Sequence, residues 1–310
     1  MVERPRERKV CEIVGLLLPP NRDSSRDGRA LSILSISPHP STASHAAWPR
    51  LGLGCSRIGS FNSPYSIADS IALIRRAFEL GVTLFDTANI YGQGDSERAI
   101  GRALRGHRDE AVVVTKAGNA FSARMALMRP LKPLLRPLMR ARRGAFITAA
   151  RQGALRQDWR PRALIAALDA SLARLKTDRV DAFLLHSPPG AVIAAEETAR
   201  VLERVLSSGR ALRVGISCDN MVAFDAALVL PTTSVLELPW DMIATLEGDP
   251  RMAGMQRRKL AVLAREVIVR QPGCRPVEAI ARAAASPLVT TTLVGTASPA
   301  HLAEAAAALK

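Results

Sequence analysis

Four polar residues in this sequence form a set that could deliver a proton to a carbonyl oxygen. Asp86, Lys116 and His186 each end a short apolar run, and Tyr91 lies five residues after Asp86. A tyrosine ordinarily has a pKa near ~10, and a neighbouring ammonium lowers it. A carboxylate keeps a lysine charged, and a neutral histidine can donate a hydrogen bond to a carbonyl oxygen. Together these four side chains predict a site that protonates an alkoxide as it forms.

Each of these residues also has a structural explanation when taken singly. A lysine at a strand end is usually solvated, a histidine after an apolar strand is often structural, and Asp86 could cap the following turn. The four together favour chemistry, because polar residues at the strand ends of parallel barrels are frequently catalytic. Tyr91 adds weight because it is one of only two tyrosines in the chain.

The elements that must position these residues alternate between β-type runs and helical patterns. The predicted strands are Leu51–Gly54, Val82–Phe85, Ala111–Thr115, Ala182–Leu185, Leu212–Ile216, Ser234–Leu238, Glu266–Val269 and Thr291–Val294. The predicted helices are Ile67–Leu80, Ser96–Arg105, Pro161–Leu175, Ala194–Ser207, Met221–Leu228, Gln256–Ala264, Val277–Ala285 and Pro299–Leu309. Such alternation predicts parallel strands joined by helical crossovers.

Eight strand–helix units predict an α/β fold of the closed (β/α)8 type, a TIM barrel, which typically takes ~250 residues. The alternative is an open doubly wound sheet, which usually carries a G-x-G-x-x-G turn after its first strand when it binds dinucleotides. The glycines here are Gly52, Gly54 and Gly59, which miss that spacing. We therefore favour the barrel, in which all four polar residues point toward one rim.

A long basic loop, residues 117–160, follows the third predicted strand. Its core, residues 121–157, carries nine basic residues and no acidic residue. Loops of this length are usually functional lids or solvated segments, and the sequence favours neither interpretation. On a barrel the loop would emerge at the face that carries the active site.

The composition limits the classes of partner. The net charge is +15, but no nucleic-acid-reading element accompanies it, so we expect no nucleic-acid partner. No apolar run is long enough to span a membrane. The four cysteines form no CxxC pair, which predicts no metal site and fits a reducing cytoplasm. Residues 1–47, rich in Ser, Pro and Arg, are expected to form a poorly ordered tail ahead of a barrel over residues 48–310.

Several segments resemble the aldo-keto reductase family. Gly81–Gly101 and Asp178–Pro188 look like that family's two signatures. Gly209–Ser217 resembles the strand that reaches the nicotinamide, and Leu293–Leu302 resembles the phosphate-binding turn and final helix. The resemblance covers residues 50–309.

The resemblance implies a role for each matching residue. Tyr91 would be the general acid in reduction and the general base in oxidation, tuned by Lys116 and Asp86, while His186 would orient the carbonyl. The residues implied at the cofactor are Ser217, Glu237, Arg270, Gly295, Thr296, Ser298 and His301. The family's usual glutamine is here Glu237, and its stacking aromatic is here interpreted as Arg270. NADP(H) is expected in preference to NAD(H).

Two functions follow as alternatives. The first is an NADP(H)-dependent oxidoreductase that reduces an aldehyde or ketone, or oxidises the corresponding alcohol or sugar, with Tyr91 as general acid and base. The second is a catalytically weak barrel that binds the cofactor and regulates, because fold alone does not determine function. The physiological substrate and the oligomeric state are not encoded in any motif we recognise.

Overall fold

The computed structural model describes residues 48–60, 63, 65–121 and 155–309. Its strands are β1 (Leu51–Gly54), β2 (Leu84–Asp86), β3 (Val112–Ala117), β4 (Asn119–Phe121), β5 (Leu155–Gln157), β6 (Ala182–His186), β7 (Val214–Ser217), β8 (Val235–Pro239), β9 (Ala261–Arg265) and β10 (Thr291–Val294). Its helices are α1 (Ile67–Glu79), α2 (Asp95–Ala103), α3 (Pro161–Leu175), α4 (Gly190–Ile193), α5 (Glu196–Ser207), α6 (Met221–Val229), α7 (Trp240–Leu246), α8 (Arg251–Arg257), α9 (Pro276–Ala285) and α10 (Pro299–Ala307). Two short 3-10 turns cover Tyr91–Gly94 and Arg108–Glu110.

Eight of the described strands close into a barrel, in the order β1–β10–β9–β8–β7–β6–β3–β2. Every pair in the barrel is parallel, so all the carboxyl ends meet at one rim. The predicted (β/α)8 barrel is confirmed. Parallel pairing requires a crossover after each strand, which is why the helices surround the sheet.

The strands are buried on both faces, and alternate residues serve two different cores. Inside the barrel lies an apolar cluster made of Leu84, Val112, Val114, Ala182, Leu184, Val235, Ala261, Leu263 and Leu293. Residues between these, such as Phe85, Val113 and Val262, pack outward against the helices. Because side chains alternate with a period of two, each strand reads as a nearly continuous apolar run.

Prolines and glycines mark the ends of several helices. Pro161, Pro276 and Pro299 each begin a helix, where the missing N–H has no intrahelical partner to lose. Gly81 and Gly209 follow the ends of α1 and α5 with φ values of 84° and 70°, a left-handed conformation that glycine adopts without strain.

The prediction was wrong between residues 256 and 269. In place of a helix over Gln256–Ala264 and a strand over Glu266–Val269, the chain forms α8 and then β9 at Ala261–Arg265. Both short runs are apolar, and periodicity alone does not distinguish a short strand from part of a buried helix. Tertiary pairing with β8 and β10 selects the earlier run, and Val269 is left 72% exposed.

The two ends of the long basic loop form a separate hairpin. Asn119 pairs with Gln157 across the antiparallel β4–β5 ladder. Gly118 has a φ of +110°, and a side chain there would collide with the ring of Trp159. The core of the loop, residues 122–154, and the predicted tail, residues 1–47, lie outside the described residues. Within the described ranges, no helix combines the length and the apolar character needed to cross a bilayer.

Candidate active site

The inward-facing positions of the barrel strands change from apolar to polar at the carboxyl end. On β8 the inward residues are Val235 and then Glu237, and on β9 they are Ala261, Leu263 and then Arg265. The polar residues that end these inward rows are Asp86, Lys116, His186, Ser217, Glu237 and Arg265. Moving two residues along a strand, to the next inward-facing position, thus leads from the apolar interior to a ring of polar side chains.

Lys116 lies fully buried at the centre of this ring. Its ammonium pairs with Asp86, lies 3.0 Å from Glu237 Oε2 and donates to the carbonyl oxygen of Thr87 at 3.2 Å. Burial by itself would lower the pKa of Lys116, but the two carboxylates outweigh burial and raise that pKa above its usual range. The ammonium therefore stays charged.

Asp86 and Glu237 compete for the same cation. Burial, and next the charge of Glu237, raises the pKa of Asp86 to about 7, against the opposing effect of Lys116. Both carboxylates lie beside the Lys116 ammonium, so protonation of Asp86 changes the electrostatic field at that ammonium. The site therefore has a titration close to neutral pH.

Tyr91 stands beside Lys116 at the start of a tight turn. Its backbone N–H donates to the carbonyl oxygen of Ala88 at 3.0 Å, and the two residues after it, Gly92 and Gln93, have φ values of 58° and 61°. Lys116 Nζ lies 5.3 Å from the centre of the Tyr91 ring. Burial raises the pKa of Tyr91 above its usual range, by more than Lys116 lowers it. The phenol therefore holds its proton at neutral pH.

His186 faces the Tyr91 ring edge-on, with ring centres 5.8 Å apart and planes at 86°. Burial, with Lys116 and Arg265 adding to it, lowers the pKa of His186 to about 3. The imidazole is therefore neutral across the physiological range. Two side-chain amides hold the backbone in this part of the site. Asn119 Nδ2 donates to the His186 carbonyl oxygen at 2.8 Å, and Asn89 Nδ2 donates to the Asn119 carbonyl oxygen at 2.9 Å.

A cavity of about 540 Å³ at the carboxyl ends of the strands is lined by Asp86, Tyr91, His186, Ser217, Glu237 and Arg265, while Lys116 is buried beside Asp86 and is not part of that lining. We call Asp86, Tyr91, Lys116 and His186 the tyrosine side, and Ser217, Glu237 and Arg265 the arginine side. The remaining lining comes from Gly54, Ser56, Arg57, Ser187, Asp219, Glu266, Val267, Ile268, Val269, Leu293 and Gly295. The structure thus brings all four residues predicted to be catalytic to one place.

Arg265 is a site residue that the sequence reasoning missed. Its Nε lies 3.6 Å from Glu237 Oε1, and its Nη2 donates to the Cys218 carbonyl oxygen at 3.1 Å. It also forms ion pairs with Asp219 and Glu266. Alternate residues of β9 face inward, and the last of these inward residues is polar, as it is on β8. This pattern in the sequence would have identified Arg265.

Arg270, which was predicted to stand at the nicotinamide, lies elsewhere. Its guanidinium pairs with Glu266 at 2.7 Å and with Asp241 at 2.9 Å, and it does not line the cavity. The prediction placed Arg270 just after a strand over Glu266–Val269. Because β9 ends at Arg265 instead, Arg270 follows a further turn and reaches the surface.

Ser217 and Glu237 offer hydrogen-bonding groups that suit a primary amide. Both are almost fully buried, and Ser217 Oγ donates to Glu237 Oε1 at 3.3 Å. A carboxamide has an NH2 donor and a C=O acceptor. Glu237 can accept from the NH2 group, and the Ser217 hydroxyl or the Arg265 guanidinium can donate to the oxygen. The nicotinamide expected from the sequence therefore fits these side chains.

The cavity lining includes Gly295, which follows β10 and precedes the start of α10, whereas Thr296, Ser298 and His301 are not part of that lining. Gly54 and Gly295 face each other there, and a Cβ on Gly54 would lie 3.5 Å from Gly295 Cα. Ser298 caps the helix by accepting from the N–H of His301, and Thr296 Oγ1 accepts from the N–H of Ser298 at 3.0 Å. His301 is exposed. A helix start beside a glycine-lined opening suits a phosphate group.

Comparison with known proteins finds one matching family and several relatives of that family. The sequence model of the Aldo/keto reductase family matches residues 50–244. The aldo-keto reductase YhdN of Bacillus subtilis is 28% identical over 198 residues, 62% of this chain and 50% of that protein. A D-threo-aldose 1-dehydrogenase of a Pseudomonas species is 31% identical over 215 residues, 68% of this chain and 60% of that protein. The chain thus spans between half and two thirds of these relatives.

One solved structure with the same fold contains bound ligands. An aldo/keto reductase from Klebsiella pneumoniae, in complex with NADP and acetate, aligns with a TM-score of 0.60 at 22% identity. The alignment covers 84% of this chain and 86% of that one. At this identity the similarity supports the barrel fold.

Proposed function

Because the chain belongs to the aldo/keto reductase family, we propose that it is an NADP(H)-dependent oxidoreductase that reduces an aldehyde or ketone, or oxidises the corresponding alcohol or sugar. The observation that carries this proposal is the charged Lys116 lying between Asp86 and the Tyr91 ring, with neutral His186 beside the phenol. These are the groups that carbonyl reduction requires: Asp86, Tyr91 and His186 border one cavity, and Lys116 lies buried beside them.

Each residue on the tyrosine side has a defined task in reduction. NADPH, when bound, would supply the hydride for the carbonyl carbon. His186, neutral because its pKa is lowered to about 3, donates a hydrogen bond to the carbonyl oxygen. Tyr91 transfers its Oη proton to that oxygen as negative charge develops there. Lys116 stabilises the resulting phenolate, and Asp86 holds the ammonium in place.

The cofactor-binding residues lie on the arginine side and at α10. We assign the nicotinamide carboxamide to Ser217, Glu237 and Arg265, with Arg265 in the place first given to Arg270. Gly295, Thr296 and Ser298 would hold cofactor phosphates at the start of α10, with His301 nearby. The preference for NADP(H) is supported by the Klebsiella structure, which is a complex with NADP.

The proposal is tested by NADPH oxidation with a panel of aldehydes, ketones and sugars. We expect turnover by the wild type, and a loss of about 10²- to 10⁴-fold in kcat/KM for Tyr91→Phe, because the general acid is removed. Tyr65→Phe, which changes the only other tyrosine, is the matched control and should keep the wild-type rate.

Two outcomes would contradict the reductase. One is the absence of turnover on every carbonyl, and the other is an equal rate for the wild type and Tyr91→Phe. A titration with NADPH that shows binding without turnover would favour the regulatory barrel instead.

A further inference from the structure

Four side chains of alternating charge form a row across the base of the cavity: Asp86, Lys116, Glu237 and Arg265. Lys116 pairs with Asp86 on one side and lies 3.0 Å from Glu237 Oε2 on the other. The other Glu237 oxygen, Oε1, lies 3.6 Å from Arg265 Nε. Glu237 therefore has one cation at each oxygen, and the fully ionised row has no net charge.

We propose that Glu237 and Arg265 act as one positioning pair, in which Arg265 neutralises Glu237 so that Lys116 remains available to the Tyr91 phenol. This inference rests on the proposed function. When Tyr91 gives up its proton, a phenolate forms beside the row. An unneutralised Glu237 would place a second negative charge close to that phenolate and would also draw the ammonium away from it.

The other partners of Arg265 do not need its charge in the same way. The Asp219 and Glu266 side chains are 54% and 36% exposed, so water screens them. Glu237 is only 2% exposed and has no comparable access to solvent. A buried carboxylate that loses its cation is strongly disfavoured. Asp219, Glu266 and the Cys218 carbonyl oxygen therefore hold the Arg265 side chain in place. The buried charge of Glu237, in contrast, depends on the positive charge of Arg265.

The pair has a predictable effect on the pH profile. The charged and titratable groups around Asp86 are Lys116 and Tyr91 on the tyrosine side, Glu237 and Arg265 on the arginine side, and the buried thiol of Cys55 just after β1. Glu237 raises the pKa of Asp86, and Arg265 lowers it. Ionised Asp86 holds Lys116 for Tyr91, so activity should fall as the pH drops below the pKa of Asp86.

The test is a double-mutant cycle read out as kcat/KM against pH, with Glu237→Gln, Arg265→Leu and the combined variant. Arg265→Leu should move the acid limb to higher pH, and Glu237→Gln should move it to lower pH. Arg265→Leu should also lose about tenfold in kcat/KM for each pKa unit by which the phenolate is disfavoured. The combined variant should lie within about threefold of Glu237→Gln, because the neutral amide needs no cation.

Two further variants serve as controls. Arg265→Lys keeps the positive charge and should retain the position of the acid limb. Arg251→Leu removes an arginine that also pairs with two carboxylates, Asp225 and Asp249, away from the cavity, and should leave the pH profile unchanged.

A second measurement separates this inference from the proposed function. In cofactor-free protein, Arg265→Leu should lower the urea midpoint more in the wild-type background than in the Glu237→Gln background. Additive losses in the urea midpoint would overturn the positioning pair whether or not the wild type turns over. An unmoved acid limb in Arg265→Leu would do the same in an active enzyme. Failure of the wild type to turn over, with non-additive urea midpoints, would contradict the reductase alone.

Discussion

Charged side chains are stabilised in different ways on the two sides of the cavity. On the tyrosine side, Lys116 is completely enclosed and depends on carboxylates that are themselves enclosed. On the arginine side, Arg265 lies at the rim, where exposed partners and water share its charge. An enclosed cation must be compensated within the protein, because desolvation penalises every unpaired charge. We infer that the protein tolerates little change in the charges on the tyrosine side. On the arginine side, exposed partners and water can compensate for such a change at Arg265.

The largest effect expected from this difference is on stability, in Lys116→Met. Removing the enclosed cation leaves Asp86 without its ion-pair partner and leaves Glu237 with Arg265 as its remaining cation, which should cost about 3–5 kcal/mol of unfolding free energy. The measurement is urea denaturation near neutral pH. Arg76→Met, which removes an exposed cation paired with Glu79, should cost less than about 1 kcal/mol. Similar losses in the two variants would show that the enclosed lysine is not held by charge.

A smaller effect, on rate alone, is expected from His186→Gln. Loss of the imidazole donor should lower kcat/KM by about 10²-fold. Because burial lowers the pKa of His186 to about 3, the ring is already neutral above that pH and should contribute no ionisation between about pH 5 and 8. The pH profile of the variant should therefore keep the wild-type shape. A limb near pH 6.5 that disappears in His186→Gln would show that the ring titrates in the working range.

The smallest effect is expected from Arg270→Ala, on the outer surface of the arginine side. Arg270 pairs with Glu266 and Asp241 and lies outside the cavity lining. Its removal should change the Kd for NADPH by less than about twofold, since exposed ion pairs contribute little. Fluorescence titration with NADPH checks this. A large loss of affinity would return Arg270 to the cofactor site, as the sequence reasoning first placed it.

The contrast between Arg265 and Arg270 shows where sequence reasoning stops. Both arginines follow a short apolar run, and either run has the length and composition of a strand. Only pairing with β8 and β10 selects Ala261–Arg265 and makes Arg265 an inward residue. A shift of five residues along the chain therefore moves the predicted cofactor contact from the cavity to the surface.

The tyrosine side was predicted more completely because its constraints are local. Asp86 and His186 end unambiguous buried strands, Lys116 is the last residue but one of another, and parallel pairing brings such ends to one rim. Tyr91 follows Asp86 closely enough that a single turn places it over Lys116. Types and spacing along the chain were sufficient for these four residues.

The amino-acid sequence by itself determined the barrel, since eight apolar runs separated by helical patterns leave few other ways to bury both faces of every strand. It also determined which four side chains meet at the rim. The tertiary structure alone decided the charge row, because the 3.0 Å approach of Lys116 to Glu237 and the 3.6 Å approach of Glu237 to Arg265 join strands far apart in the chain. The physical reason is that electrostatic energy depends on distances and burial, which no local pattern of residues specifies.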